Sequence, residues 1–336
     1  MEYRRLGNSG LRVSPICLGT MMFGLRTTPA VAGRIMDKAR SAGINFLDTA
    51  DVYSKGKSEE ILGRLIAKDR DDWVLATKVA ADWSARPNES GSGRKWVERA
   101  LDASLKRLKT DYIDLYYLHK DDSGTPMEET VAVMADAVRA GKIRYWGLSN
   151  FASWRVAQAC ETADRLGAPR PIASQPYYNA MNRMPEAEHL PACASYGLGV
   201  VPYSPVARGV LTGKYPVEGP PPKGTRAGHA DKRMMEAEYR RESLEIAQVA
   251  VAHAERRGMT PVQYATLWVL NNRLITAVIA GPRTLAQWTE YLRALDQDFS
   301  AEDEALIDTL VPPGHPSTPG YTDPNYPVIG RAVYAG

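Results

Sequence analysis

Residues 44–53 read INFLDTADVY. The short apolar run Ile44–Leu47 ends on an aspartate, and a tyrosine follows five residues further on. A run this short, aliphatic and aromatic, predicts a buried strand, because helices need longer periodic stretches. The pattern returns downstream: residues 73–78 are WVLATK and residues 112–119 are YIDLYYLH, each closing on a residue that carries or exchanges a proton. Working outward predicts eight strands: Ile16–Leu18, Ile44–Asp48, Trp73–Thr77, Tyr112–Leu118, Tyr145–Leu148, Ile172–Gln175, Gly199–Tyr203 and Ala277–Ala280. Amphipathic stretches of helical period lie between them, at Ala30–Ala42, Glu59–Ala67, Arg94–Leu108, Met127–Ala140, Trp154–Leu166, Glu186–Tyr196, Glu238–Arg257 and Pro261–Asn271. Ser153 is placed as an N-cap, and Thr260-Pro261 supplies a cap followed by proline at the first helical position. Gly43, Gly141, Gly167 and Gly197 stand where helices stop.

Eight β-then-α units predict a single-domain α/β fold, a closed (β/α)8 TIM barrel. An open doubly wound sheet would want a glycine fingerprint after its first strand, and Gly19-Thr20-Met21-Met22-Phe23-Gly24 lacks that spacing. The barrel is expected over residues 1–310. Residues 311–336, with Pro312-Pro313-Gly314-His315-Pro316, Tyr321 and Tyr326, form a tail expected to wrap the barrel mouth; a frayed terminus is the plainer alternative. Ser204 to about Met235 is a long Gly- and Pro-rich connection of the kind that serves a site.

Composition narrows the function. Of 336 residues, 42 are Lys or Arg and 39 Asp or Glu, a net charge of +3, too little to argue for nucleic acid or an anionic membrane surface. No apolar run is long enough to cross a bilayer, and the N-terminus lacks the features of a signal peptide. Cys17, Cys160 and Cys193 are odd in number and far apart, which suits buried thiols in a reducing compartment, the cytoplasm by expectation.

In a barrel the residues at the C-terminal ends of strands point into the active site. Those positions hold Asp48 with Tyr53 just beyond, Lys78, His119, Ser149-Asn150, Gln175 and Tyr203-Ser204. Each has an ordinary explanation singly: a capping aspartate, a surface lysine, a hydrogen-bonded core histidine. Together, Asp48, Tyr53, Lys78 and His119 converge on one pocket from three adjacent strand ends. A phenol near an ammonium that a carboxylate holds in place suits proton delivery to a carbonyl oxygen, with the imidazole as that oxygen's hydrogen-bond partner. The ammonium is expected to pull the phenol's pKa down. No metal site is expected: His189 and Cys193 stand at i, i+4 spacing but lack further ligands. The pair Tyr53 and Lys57 matches the Tyr-x-x-x-Lys spacing of short-chain dehydrogenases, although Lys55-Gly56-Lys57 is a poor helix start.

Eight stretches in order carry a resemblance: EYRRLGNSGLRVSPICLGTMMFG, INFLDTADVYSKGKSEEILGRLI, VLATKVA, SLKRLKTDYIDLYYLH, GKIRYWGLSNF, SQPYYN, VVPYSPVARGVLTGKY and VIAGPRTLAQWTEYL. The chain resembles the aldo-keto reductases over about residues 1–310, in the branch that includes bacterial enzymes and potassium-channel β-subunits. That resemblance implies a cofactor, NADPH or NADP+, and a small-molecule carbonyl or alcohol substrate (aldehyde, ketone or keto-sugar). It implies Asp48, Tyr53, Lys78 and His119 as the catalytic set, with Tyr53 the general acid. It implies Ser149, Asn150 and Gln175 at the nicotinamide carboxamide and Tyr203 stacked on the ring. Ser204, Val206, Arg208 and Gly209 fall to the pyrophosphate segment, Gly281, Arg283, Gln287 and Glu290 to the adenosine end, and Gly19, Thr20 and Met21 to the cofactor. Arg283 is the expected partner of a 2′-phosphate. Met22, Phe23 and Trp83, with Tyr53 and His119, are expected to contact substrate; Asp121, Asp122, Tyr321 and Tyr326 are further wall candidates. Lys120 and Tyr291 depart from the family's usual Arg and Asn. Two rival functions stay open at this point: a barrel lyase using Lys78 as a Schiff base, and a cofactor-bearing binding module. Oligomeric state is not readable.

Overall fold

The computed structural model describes residues 1–327; the end of the expected tail, 328–336, lies outside the described residues. Among the described residues ten strands form: β1 (Arg4–Arg5), β2 (Arg12–Val13), β3 (Ile16–Gly19), β4 (Phe46–Asp48), β5 (Val74–Val79), β6 (Ile113–Leu118), β7 (Ile143–Ser149), β8 (Ala173–Gln175), β9 (Gly199–Val200) and β10 (Val278–Ala280). Strands β3 to β10 form one parallel sheet in the order β10-β3-β4-β5-β6-β7-β8-β9. The sheet closes on itself: Thr276 N–H donates to Val200 O (2.9 Å) and Ile279 N–H to Pro202 O (2.9 Å), joining β9 and its continuation to β10. Helices run between successive strands, which is the (β/α)8 barrel.

Side chains alternate along each barrel strand, so every second residue faces the barrel axis. Cys17, Phe46, Val74, Ala76, Leu115, Tyr117, Ala173, Val201, Ala277 and Ile279 make the interior core. Their neighbours Leu18, Leu47, Leu75, Tyr116, Leu118, Trp146 and Leu148 pack outward against the helices. The interior is tight enough to need a glycine. A Cβ on Gly147 would lie 2.6 Å from Tyr117 Cε1, so the absent side chain on β7 makes room for the ring on β6. The β1–β2 hairpin, which the period-two reading missed because it is only two residues per arm, adds Leu6 and Val13 to the interior core at the strands' N-terminal end.

Most helix ends obey the expected chemistry. Thr260 and Gln263 form a capping box on the helix Pro261–Asn271, with Pro261 at its first position. Gly43, Gly141, Gly167 and Gly197 all adopt positive φ at helix ends. Three boundaries differ. Ser153 is the first residue of its helix, not its cap; Ala152 takes the cap position without a side-chain bond. The stretch Glu186–Tyr196 begins as a 3-10 turn, Met184–Glu186, before the helix His189–Tyr196. The helix expected over Glu238–Arg257 starts later, as Arg241–Arg256, and a separate short helix, Lys232–Ala237, precedes it at the end of the long connection. The break between them is at Glu238–Arg240, where the buried Glu238 carboxylate turns away to pair with Arg208 and Arg240 is extended (φ −125°). The helices Leu285–Arg293 and Ala301–Leu310, which follow the last strand, were not read from the sequence. Among the described residues, no helix is long and apolar enough to cross a membrane.

The second barrel helix, Lys57–Ile66, crosses the helix Arg94–Leu108 at Gly63, where a Cβ would lie 2.5 Å from Leu108 O. Helix propensity alone favours Ala over Gly by about 1 kcal/mol. We expect Gly63→Ala to destabilise instead, by about 1–3 kcal/mol as overpacking does; urea unfolding gives the sign, and a stabilised variant would contradict the packing.

Candidate active site

Continuing the alternation past the core gives the last inward position of each strand: Gly19, Asp48, Lys78, His119, Ser149, Gln175, Tyr203 and Gly281. Strand register sets them side by side, with Gly19 opposite Asp48 and Ser149 opposite Gln175. Above them opens a cavity of about 850 Å3, lined by all of these except Lys78.

Lys78 lies beneath the cavity floor, fully buried. Its ammonium donates to Asp48 Oδ1 (2.5 Å), Thr49 O (2.7 Å) and Tyr53 OH (3.3 Å), so all three N–H bonds have acceptors. Asp48 Oδ2 accepts from Gln175 Nε2 (2.9 Å). Burial works against the Lys78 charge, but Asp48 and then Tyr53 outweigh it, and the ammonium is held above its ordinary pKa. Tyr53 reaches this group through a 3-10 turn, Tyr53–Gly56, in which Ser54 and Lys55 take left-handed φ of 51° and 54°. That turn separates Tyr53 from the helix starting at Lys57, which is exposed, so Tyr53 and Lys57 do not share a helix face.

The Tyr53 phenol departs from expectation. Burial raises its pKa more than Lys78 lowers it, so the net direction is up and the proton stays on the oxygen near neutrality. His119 meets the Tyr53 ring edge-on, centroids 5.7 Å apart. Burial first, and Lys78 and Lys120 after it, push its pKa down to about 3. The imidazole is neutral, and its buried Nδ1 has no hydrogen-bond partner.

Ser149 Oγ donates to Gln175 O (2.9 Å), Asn150 Nδ2 to His119 O (2.9 Å), and Tyr203 OH to Asn150 Oδ1 (2.8 Å). The polar floor is thus cross-tied between neighbouring strand ends. At the next segment Ala207, Arg208 and Gly209 are consecutive left-handed residues (φ 45°, 50° and 100°), a backbone form from which anion-binding nests are built. Arg208 gives its Nε to both Glu238 oxygens (2.8 and 2.9 Å). At the far end Gln287 Oε1 accepts from Arg283 N (2.8 Å).

The expected residues Met21, Met22, Ser204, Val206, Gly209, Arg283, Gln287 and Glu290 also line the cavity, as does Tyr326. Three do not. Thr20 is fully buried beneath the wall, bonded to Asp48 O (3.1 Å) and Ser58 Oγ (2.9 Å). Phe23 is fully buried in the layer between sheet and helices. Trp83 stands outside, its ring stacked on the Arg107 guanidinium at 5.3 Å. Asp121 is engaged by Arg155 and Asp122 by Ser92 and Thr125, away from the lining. Of the two departures, Lys120 pairs with Asp82 at 3.0 Å, and Tyr291 lines the cavity nearly buried. His189 gives its Nε2 to a bond with Ser174 Oγ (2.8 Å), a core role.

Four cavity cations went unread: Lys214, Arg226, Arg233 and Arg293. Lys214, Arg226 and Arg283 have no carboxylate within ion-pair reach among the described residues, in contrast to Arg208 with Glu238, Arg233 with Asp323 and Arg293 with Glu290. Burial, then Arg283 and Arg226, pull the Lys214 pKa down. Burial and Arg208 do the same to Arg226. Gathering like charges in a half-buried cavity is unfavourable unless an anion joins them. The signal for Lys214 was its place in VARGVLTGKY, ten residues past the strand-end Ser204; Arg226 lies in the irregular loop and left none.

A sequence profile described as the aldo/keto reductase family matches residues 15–312. A Bacillus subtilis (strain 168) protein named uncharacterized oxidoreductase YrpG is 38% identical over 330 residues, 95% of this chain and 98% of that one. A rice (Oryza sativa subsp. japonica) protein named probable voltage-gated potassium channel subunit beta is 37% identical over 302 residues, 88% and 92% of the two chains. The L-glyceraldehyde 3-phosphate reductase of Escherichia coli O157:H7 is 34% identical over 325 residues, 94% and 93%.

The Asp48–Lys78 pair makes a structural prediction. Asp48→Asn leaves a buried ammonium without its counter-charge, which costs about 3–5 kcal/mol. Urea unfolding of the variant should show a loss of that order, and a change below about 1 kcal/mol would mean that the pair is not the cavity's anchor.

Proposed function

Because the chain belongs to the aldo/keto reductase family and is a carbonyl-reducing oxidoreductase, we propose that it uses NADPH and that Tyr53 is its general acid. The observation that carries the cofactor reading is the group of three cavity cations without carboxylate partners. Donor chemistry and space both suit a phosphorylated dinucleotide. Gly19 and Gly209 line the cavity without side chains, so their backbone faces a close-lying ligand there. Arg283, Lys214 and Arg226 would hold a 2′-phosphate, Ser204–Gly209 the pyrophosphate, and Ser149, Asn150, Gln175 and Tyr203 the nicotinamide.

When bound there, NADPH supplies a hydride to the carbonyl carbon. The chain supplies the proton. Tyr53 keeps its proton at neutral pH and donates it to the carbonyl oxygen, leaving a phenolate 3.3 Å from the Lys78 ammonium. Asp48 holds that ammonium in place, so the new negative charge meets a positive one that needs no reorganisation. Neutral His119 donates a hydrogen bond to the same oxygen. Lys78 itself is no Schiff-base nucleophile: it is protonated, saturated with acceptors and absent from the cavity wall. Tyr326 lines the cavity, and Asp323 and Ser317 hold the described part of the tail to Arg233 and Ser243, which supports its reading as a cover for the substrate end. Three buried free thiols are in keeping with a reducing compartment such as the cytoplasm.

Two variants test this. Tyr53→Phe should lose most turnover, on the order of a hundredfold or more as general-acid removal does, with NADPH affinity by fluorescence titration unchanged; substantial turnover would remove Tyr53 from its role. Arg283→Ala should weaken NADPH by roughly ten- to a hundredfold, the worth of a bond to a charged group, and NADH far less. Equal losses for both would refute the 2′-phosphate assignment.

A further inference from the structure

Behind the catalytic turn lies a second ionic cluster that the reaction above does not use. Glu59, fully buried at the start of the helix Lys57–Ile66, accepts from Thr77 Oγ1 (2.6 Å) and Arg107 Nε (2.6 Å). Thr77 is the neighbour of Lys78 on β5, on the outward side. Arg107 comes from the helix Arg94–Leu108, is fixed by Ser104 Oγ (3.1 Å), and is covered by the Trp83 ring. Its side chain fills the space under Gly56 (φ +83°), the last residue of the Tyr53 turn; a Cβ there would lie 2.7 Å from Arg107 Cδ. Three consecutive left-handed residues, Ser54, Lys55 and Gly56, thus end against the Arg107 side chain at Gly56, and Ser54 Oγ donates to Phe23 O (3.1 Å) from the other side. Left-handed conformations outside glycine are unfavourable and persist only where surroundings impose them.

Asp51 completes the cluster from within the turn. It is 1% exposed; Oδ1 accepts from Val52 N–H (2.7 Å), and Oδ2 has no partner. Its own N–H donates to Lys78 O (3.3 Å). The charged and titratable groups facing it are Glu59 and Arg107 from the two helices, Lys78 from β5, Tyr116 from β6, and Tyr53 in its own turn. Two carboxylates thus face one guanidinium in a dry space.

We propose that Arg107, Glu59 and Asp51 are a positioning unit for Tyr53: the Arg107–Glu59 pair sets the turn that aims the phenol, and the charge on Asp51 sets how firmly the phenol holds its proton. The proposal rests on Tyr53 being the acid. Burial, with Glu59 after it, pushes Asp51 up to about 7, so its charge changes in the working range. Ionised Asp51 raises the Tyr53 pKa, making the phenol a weaker donor. Reduction should therefore slow as pH rises through about 7, by about two- to fivefold.

The test uses the full chain with saturating NADPH and glyceraldehyde or benzaldehyde, whichever the wild type turns over faster. Asp51→Asn should remove the inflection near pH 7 in kcat and stay at the acid-side level throughout. Arg107→Met should lower kcat by about tenfold or more with NADPH affinity unchanged, and Arg107→Lys should recover part of it, as loss of alignment predicts. Melting adds an independent reading: a carboxyl raised in the folded state contributes stability that is full below its unfolded pKa and is lost by its folded pKa, so the wild type should weaken relative to Asp51→Asn as pH rises from about 4 to about 7 and hold level above that. A wild-type pH profile in Asp51→Asn, or an Arg107→Met kcat within twofold of wild type, overturns the proposal. Should Arg107→Met fail to fold, Glu59→Gln and the Asp51→Asn profile decide alone. Retained turnover in Tyr53→Phe would instead overturn the general-acid reading.

Discussion

An ammonium with no exposure to water must find three acceptors and a counter-charge, or it deprotonates. Lys78 finds them in Asp48, Thr49 and Tyr53, and this requirement organises the C-terminal end of the barrel. Asp48 is fixed on one side by Lys78 and on the other by Gln175, which reaches from the opposite arc of the ring. Tyr53 is drawn to the pair through a turn that runs against backbone preference. A rigid charge pair of this kind suits chemistry in which negative charge appears on one oxygen, because the stabilising dipoles are in place before the charge is.

The cavity splits its cations by whether they own a carboxylate. Arg208 and Arg233 have Glu238 and Asp323, and both pairs join distant segments: the first ties the turn at Arg208 to the end of the helix Lys232–Ala237, the second ties that helix to the tail residue Asp323. Lys214, Arg226 and Arg283 have none among the described residues. On the proposed cofactor reading, these three are the cations kept for an anionic ligand, at a cost in stability while it is absent. The falling pKa of Lys214 and of Arg226 registers that loss, and an anionic ligand would reverse both directions.

Much of this was legible because strands have period two. Once Val74 and Ala76 are placed inward, Lys78 must be inward too, and the same step carries Leu115 and Tyr117 to His119, Tyr145 and Gly147 to Ser149, and Ala173 to Gln175. A one-residue slip would turn every one of these into a helix-facing residue. The wall residues had no such rule. Thr20 and Phe23 follow a strand end by one and four residues, but the loop there turns on its own hydrogen bonds, Phe23 N to Thr20 O at 2.8 Å, and carries both inward. Trp83, an aromatic near a strand end, reads as a pocket wall, yet its face is taken by Arg107. The short helix Lys232–Ala237 was equally hidden, since six residues at the end of an irregular connection are too few to show a period.

The direction of the Tyr53 shift shows where sequence reasoning about charge runs short. An ammonium beside a phenol lowers its pKa, and that step is sound in isolation. It omits the dry surroundings that also hold Lys78, and those act on the phenol in the opposite sense and more strongly. The result serves reduction better than the simpler picture does. A phenol pulled toward neutrality would be partly ionised before the substrate arrived and could not donate. One kept protonated by burial, yet touching an ammonium, holds its proton until negative charge develops on the acceptor, and only then does the Lys78 contact strengthen. On the proposed role of Tyr53 as the acid, burial guards the ground state and the ammonium favours the transition state, so the same 3.3 Å contact would act where it raises the rate.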